Sequence, residues 1–255
     1  MDWSALYLFM TILGRMSGFV FFNPLFGRSN IPGIVKAGFS LLLAAVVFLT
    51  QPAAPAVPLT VLELSVHFLL EMALGFILGL AVNTFFYIPL LAGFSIDLQM
   101  GMTMGATYDP GSGANISVNA SLLNLLMMML FFAANGHHTL LRIILTSGDV
   151  VPFGAVTLGP DVYSAVLALL ADCTLLAVKL CMPVLAAELL GQISMGILMK
   201  TIPQINVFAI NIELKVIIGL IMYLFMLIPF SEFLLAAEHS MLTSLQELLS
   251  LMRAP

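Results

Sequence analysis

The sequence predicts an all-α, membrane-associated protein made of helical hairpins with kinked long helices, and three observations carry that prediction. Of 255 residues, 61% are hydrophobic and 8% are charged, where soluble domains carry roughly 25% charged residues. Several apolar runs approach or exceed the roughly 18 to 20 residues that cross a bilayer. Gly and Pro, not polar linkers, separate those runs, so residues 1–255 read as one domain.

The first run covers Trp3 to Phe22. It opens on MDWSALYLF, without a basic flank or a small-residue cleavage site, and therefore reads as a retained helix and not a leader. NPLFGRSNIPG ends it, and a second run from Ile34 to Thr50 is closed by QPAAPAVP. A third goes from Leu59 to Ile96, where Pro89 predicts a kink or break because it removes a backbone donor and clashes with the preceding turn. The stretch DLQMGMTMGATYDPGSGANISVNA, Asp97 to Ala120, predicts a loop. Helices follow at Ser121–Ala134 and, after NGHH, over TLLRIILTS, with a second loop from Asp149 to Pro160. A run from Val162 to Met199 carries Pro183, KTIPQINVFAINIELK interrupts it, and a last run extends from Val216 past Pro229 to about Leu251.

Composition also excludes functions. The net charge is −5 and the eight basic residues are scattered singly, which leaves no footprint for nucleic acid. Cys173 and Cys181 lie in one helical run, roughly 12 Å apart along its axis, and read as buried apolar side chains. His137 and His138 have no thiol or carboxylate at ligand spacing, so they predict a capping or interfacial role and no metal. No nucleophile–base order, phosphate loop or paired-carboxylate motif occurs, and neither an enzyme nor a cofactor is expected.

Charges inside apolar runs cost about 2.5 to 3.5 kcal/mol each at a bilayer centre, so they face protein or water. Arg15, Glu63, His67, Glu71, Asp172, Lys179 and Glu188 stand in such runs. Glu63, His67 and Glu71 recur every four residues and Asp172 and Lys179 are seven apart, which places each set on one helix face as a buried polar seam. Such a seam serves either as a proton relay or as a packing register between helices, and the number of polar breaks favours packing. Gly75 and Gly79, with Ala73 beside them, have the GxxxG spacing of closely approaching helices.

These interruptions together form a family pattern. RMSGFVFFNPLFGRSNIPGIVKAG from Arg15, GFSIDLQMG from Gly93, YDP from Tyr108, NGHHTLL from Asn135 and IPQINVFAINIELKVIIGL from Ile202 resemble the FliR family of flagellar export-gate proteins and its injectisome relatives, SctT. The resemblance runs in order through nearly the whole chain, with Lys200 and Glu213 as departures from the expected Arg and Pro. It implies a non-enzymatic core subunit of the type III export gate at the bacterial inner membrane, in the flagellar basal body. FliP and FliQ in several copies, FlhB and FlhA, membrane lipids and exported unfolded flagellar proteins are the implied partners. A FliP-like part over roughly 1–185 and a FliQ-like part over roughly 186–255 are implied, with a subunit-contact turn at Pro203, Gln204, Asn206 and Phe208.

The resemblance further implies that the central loop plugs the lumen: Gly105, Ala106, Thr107, Tyr108, Asp109, Pro110, Gly111, Ser112, Gly113, Ala114, Asn115, Ile116 and Ser117. The residues agree with a movable segment, since glycines free the backbone, Asp109-Pro110-Gly111 signals a turn, and Ser and Asn exchange bonds with water. Loops beyond about 12 to 15 residues are uncommon in compact domains unless functional or disordered, although a surface connector is the alternative. Asp97, Gln99 and Gly101 are expected to anchor its base, and Met100, Met102 and Met104 to form a deformable gasket. Met127, Met128 and Met129 read as helix packing.

Overall fold

The computed structural model describes residues 3–28, 30–50, 60–102, 107–109, 114–201 and 207–253. The fold is helical: α1 (Trp3–Phe22), α2 (Gly33–Thr50), α3 (Val61–Met100), α4 (Val118–Ala133), α5 (Gly136–Leu145), α6 (Ser147–Val150), α7 (Pro160–Thr201) and α8 (Val207–Leu251). A ribbon of two short strands, β1 (Thr107–Asp109) and β2 (Ala114–Ile116), lies between α3 and α4. Five helices are long and apolar enough to cross a membrane, and a sixth crossing follows if α4 and α5 act as one broken span.

The contacts divide the chain into two compact units. One joins Met1–Phe85, Asn135–Ala171 and His239–Pro255; the other joins Phe86–Ala134 and Asp172–Glu238. The boundary in α3 lies near its proline. Pro89 cannot donate to the carbonyl four residues earlier, that of Phe85, which is the last residue of the first unit in this helix. The helix nevertheless continues through Pro89 to Met100, where the sequence predicted a kink or break and an end at Ile96.

In the first unit α1 and the start of α3 run side by side in the same direction. A Cβ at Gly18 would strike the Met72 carbonyl oxygen, and one at Gly75 would strike the Arg15 carbonyl oxygen, so glycine lets the two backbones touch. Phe22 and Phe76 meet edge to face at 4.5 Å, and Phe9 of α1 meets Phe48 of α2 in the same manner. Asn23 turns the chain between α1 and α2, its Oδ1 accepting the Leu25 N–H at 2.8 Å. The end of α8 returns to this unit. Met252 is fully buried, its carbonyl accepts the Thr157 N–H at 3.2 Å, and Arg253 bridges to Val156.

In the second unit Gly93 of α3 lies against the Ala120 backbone of α4, and Phe86 stacks edge to face on Phe131. Gly191 of α7 faces the Ile218 side chain of α8, and Gly219 of α8 faces the Met100 side chain of α3. Helix α8 starts at Val207, nine residues before the predicted Val216, because Asn211, Glu213 and Lys215 are compatible with a helix. The predicted interruption narrows accordingly to residues 202–206, which lie outside the described residues. Pro160 opens α7, where its missing N–H costs no hydrogen bond, so the predicted loop over Asp149–Pro160 is shorter at both ends.

Candidate functional site: a buried clasp at the base of the central segment

Helix α3 ends by a local device. Gly101 adopts φ +75° and its N–H reaches the Leu98 carbonyl at 3.3 Å, the left-handed terminus that glycine favours. No atom of the described residues would crowd a Cβ there, and the backbone angle selects glycine. Beyond it the chain departs as Met102, passes through the ribbon, and re-enters a helix after Ser117. The ribbon pairs Thr107 with Ile116, Tyr108 with Asn115 and Asp109 with Ala114, antiparallel. A hairpin therefore stands where the sequence predicted an irregular loop.

Departure and return are held together by one carboxylate. Asp97 is 0% exposed. Its Oδ2 accepts the Asn119 backbone N–H at 3.0 Å and its Oδ1 accepts the Asn119 side-chain amide at 2.5 Å. Ser117, the residue at the N-cap of α4, makes no side-chain capping bond, so Asp97 of α3 caps α4 from outside. A negative charge at a helix N-terminus also meets the positive end of the helix dipole. The Asn119 amide extends to the Met100 sulfur at 3.4 Å, and the Tyr223 hydroxyl donates to the Asn119 carbonyl over a long 3.5 Å.

The other predicted residues fall around this clasp or away from it. Gln99 is half-buried, Met102 is half-buried, and Met100 is buried against Gly219. Met104, Gly105, Ala106, Pro110, Gly111, Ser112 and Gly113 lie outside the described residues, as do Pro203, Gln204 and Asn206; Phe208 lies on the first turn of α8. Ser117 is buried. Met127 packs inward, while Met129 is exposed.

The predicted polar seam is partly corrected. Arg15, Glu71 and Glu188 are fully buried and His67 is half-buried, but Glu63, Asp172 and Lys179 are exposed on this chain. Glu63 belongs to a helix start: the Thr60 hydroxyl accepts its backbone N–H at 3.2 Å, a T-x-x-E capping arrangement. Arg15 Nε donates to Glu71 Oε2 at 2.6 Å, Arg15 Nη1 donates to the Ser147 hydroxyl at 3.1 Å, and the guanidinium lies 4.2 Å from the centre of the Phe153 ring. Glu71 Oε1 accepts the Gly154 N–H at 2.7 Å, and Tyr7 and His67 share a 2.6 Å hydrogen bond. Sequence reasoning missed Asn119, Ser147, Gly154 and Tyr223 as partners. Only Asn119 carried a signal, as an amide in the first turn of an apolar run. Among the described residues no group of three or more potential ligands could hold a metal ion.

These features define a class: an apolar helical chain with a buried ion pair, and between α3 and α4 a non-helical segment held at its base. The chain matches the family of bacterial export proteins, family 1, over residues 6–240, and belongs to that family. It is 28% identical to the flagellar biosynthetic protein FliR of Bacillus subtilis over 84% of this chain and 83% of that protein. It is 24% identical to FliR of Escherichia coli over 96% and 94%, and 27% identical to FliR of Aquifex aeolicus over 82% and 81%. The FliR resemblance read from the motifs is borne out.

Proposed function

We propose that this chain is a non-enzymatic core subunit of the flagellar type III export gate, with the segment from Gly105 to Ser117 as plug of its lumen. It assembles with several copies of FliP and FliQ, beside FlhB and FlhA, in the bacterial inner membrane at the flagellar basal body. Residues 1–185 supply the FliP-like part and residues 186–255 the FliQ-like part, and the pore passes unfolded flagellar proteins. The observation that carries the plug is the Asp97–Asn119 clasp, which fixes both ends of a non-helical segment on one buried carboxylate. A segment held at its base can move without dismantling the helices that carry it.

Shortening Ala106–Ser117 in the assembled complex tests this reading. Co-purification with FliP and FliQ is expected to persist while the closed gate conducts small ions. An assembled, shortened gate that conducts no more than the unmodified one overturns it. The alternative of a proton-coupled transporter built on Glu63, His67 and Glu71 gains nothing from the geometry. Glu63 lies exposed in the first turn of α3, where Thr60 caps its N–H, and Glu71 is bound on both oxygens.

A further inference from the structure

One buried acid has no role in the clasp or in the Arg15 seam. Glu188 of α7 is 0% exposed, and among the described residues neither of its carboxyl oxygens has a partner at hydrogen-bonding geometry. The other fully buried acids are bound on both oxygens: Asp97 by Asn119, and Glu71 by Arg15 and Gly154. Facing Glu188 from α8 are the Lys215 ammonium and the backbone at Gly219. No charged residue occurs between Lys200 and Glu213, so the turn joining α7 to α8 supplies none. From α3 the side chain that reaches this level is Met100, which lies on Gly219, and the nearest acid of that helix, Asp97, is held by Asn119. Less than one turn beyond Glu188, Gly191 receives Ile218. Glu188 thus stands where α7, α8 and the last residue of α3 meet, at the root of the central segment.

A carboxylate in such a place, with no donor at good hydrogen-bonding geometry, is costly, and it is relieved either by taking a proton or by drawing a cation onto itself. We propose that Glu188 is a proton-binding site of the gate, neutral while the gate is closed, whose deprotonation draws Lys215 of α8 toward α7 and so shifts Gly219, about one turn further along α8, from its contact with Met100. The O–H bond of the carboxyl breaks, the proton passes to solvent water, and the carboxylate is left facing Lys215. The gating consequence rests on the plug reading; the proton site does not.

Infrared spectroscopy on the assembled complex tests the site directly. With ¹³C-glutamate incorporated, the carbonyl stretch of a protonated glutamic acid is expected near neutral pH, shifted by the label, and lost on titration to alkaline pH. E188Q is expected to abolish that band while Glu238, another buried acid, remains in place. Ion conductance of the unmodified gate is expected to rise as the band disappears, and that of E188Q to stay flat. A spectrum without the labelled band at any pH overturns the proton site without needing a variant, because the carboxylate is then ionised and held by Lys215, water or a partner subunit. A band still present in E188Q overturns it as well. Conductance of E188Q that follows pH like the unmodified gate overturns the coupling. Failure of the plug reading is separable, since it appears as a shortened loop that does not leak while the Glu188 band is retained.

Discussion

At Gly75 and Arg15 a missing side chain and a charged one serve the same contact. The glycine admits the α1 backbone, and the close approach lets Arg15 meet Glu71 with both side chains fully buried. Gly75→Val is therefore expected to separate the helices and lower the melting temperature of the detergent-solubilised protein. Gly33→Val, where no atom of the described residues lies within 4 Å of a Cβ, is expected to leave it unchanged. Removing one member of a buried ion pair strands the other, so Arg15→Met should cost about 3 to 5 kcal/mol. The Arg15→Met, Glu71→Met double variant is expected to recover most of that loss, measured by chemical denaturation in the same detergent. A double variant as unstable as the single one would mean that the contacts of the pair to Ser147, Phe153 and the Gly154 N–H outweigh the pairing itself. The sequence made Arg15 and Glu71 legible as polar breaks on helix faces. It could not supply Ser147, 132 residues from Arg15, because a hydroxyl opening a four-residue helix has no periodicity to betray its partner.

At the scale of elements, α4 borrows its cap from α3. Asp97→Ala is expected to leave the Asn119 N–H without its acceptor and cost about 0.5 to 2 kcal/mol, the range for losing a helix cap. Hydrogen exchange at residues 118–121 should speed up, while α1 and α2 keep their protection. Asp97→Asn, which keeps an acceptor oxygen, should fall between the two. Most helices were legible because their apolar runs are long and Gly or Pro ends them; α1 matches its predicted span at both ends. The misses share a cause. Helix α3 outlasts Ile96, and α4 starts before Ser121, because Asp97 and Asn119 bond to each other. Single-chain patterning reads polar residues as loop and cannot see a polar pair buried between two helices. The antiparallel ribbon escaped for a related reason, since three-residue strands are too short for alternation to register.

For the whole molecule, the exposed apolar surface is extensive: Ile34, Leu49, Val61, Leu224, Phe225 and Ile228 are each at least 70% exposed. Such surface requires lipid or other polypeptide against it, so the chain purified without partners is expected to aggregate on detergent removal. Co-expression with FliP and FliQ should keep it monodisperse, as size-exclusion chromatography would report. Arg15 and Glu71 were legible as polar residues of packed helices, but the division into two units was not, because each unit draws on stretches far apart in sequence. That division bears on the order in which the chain is made. The first unit includes the buried Met252 and its bond to Thr157, so it cannot close until the ribosome has delivered residues 239–253. By then every residue of the second unit has already been synthesised. The bond from Thr157 to Met252 at the final turn of α8 thus joins the first unit only after the stretches of the second have left the ribosome.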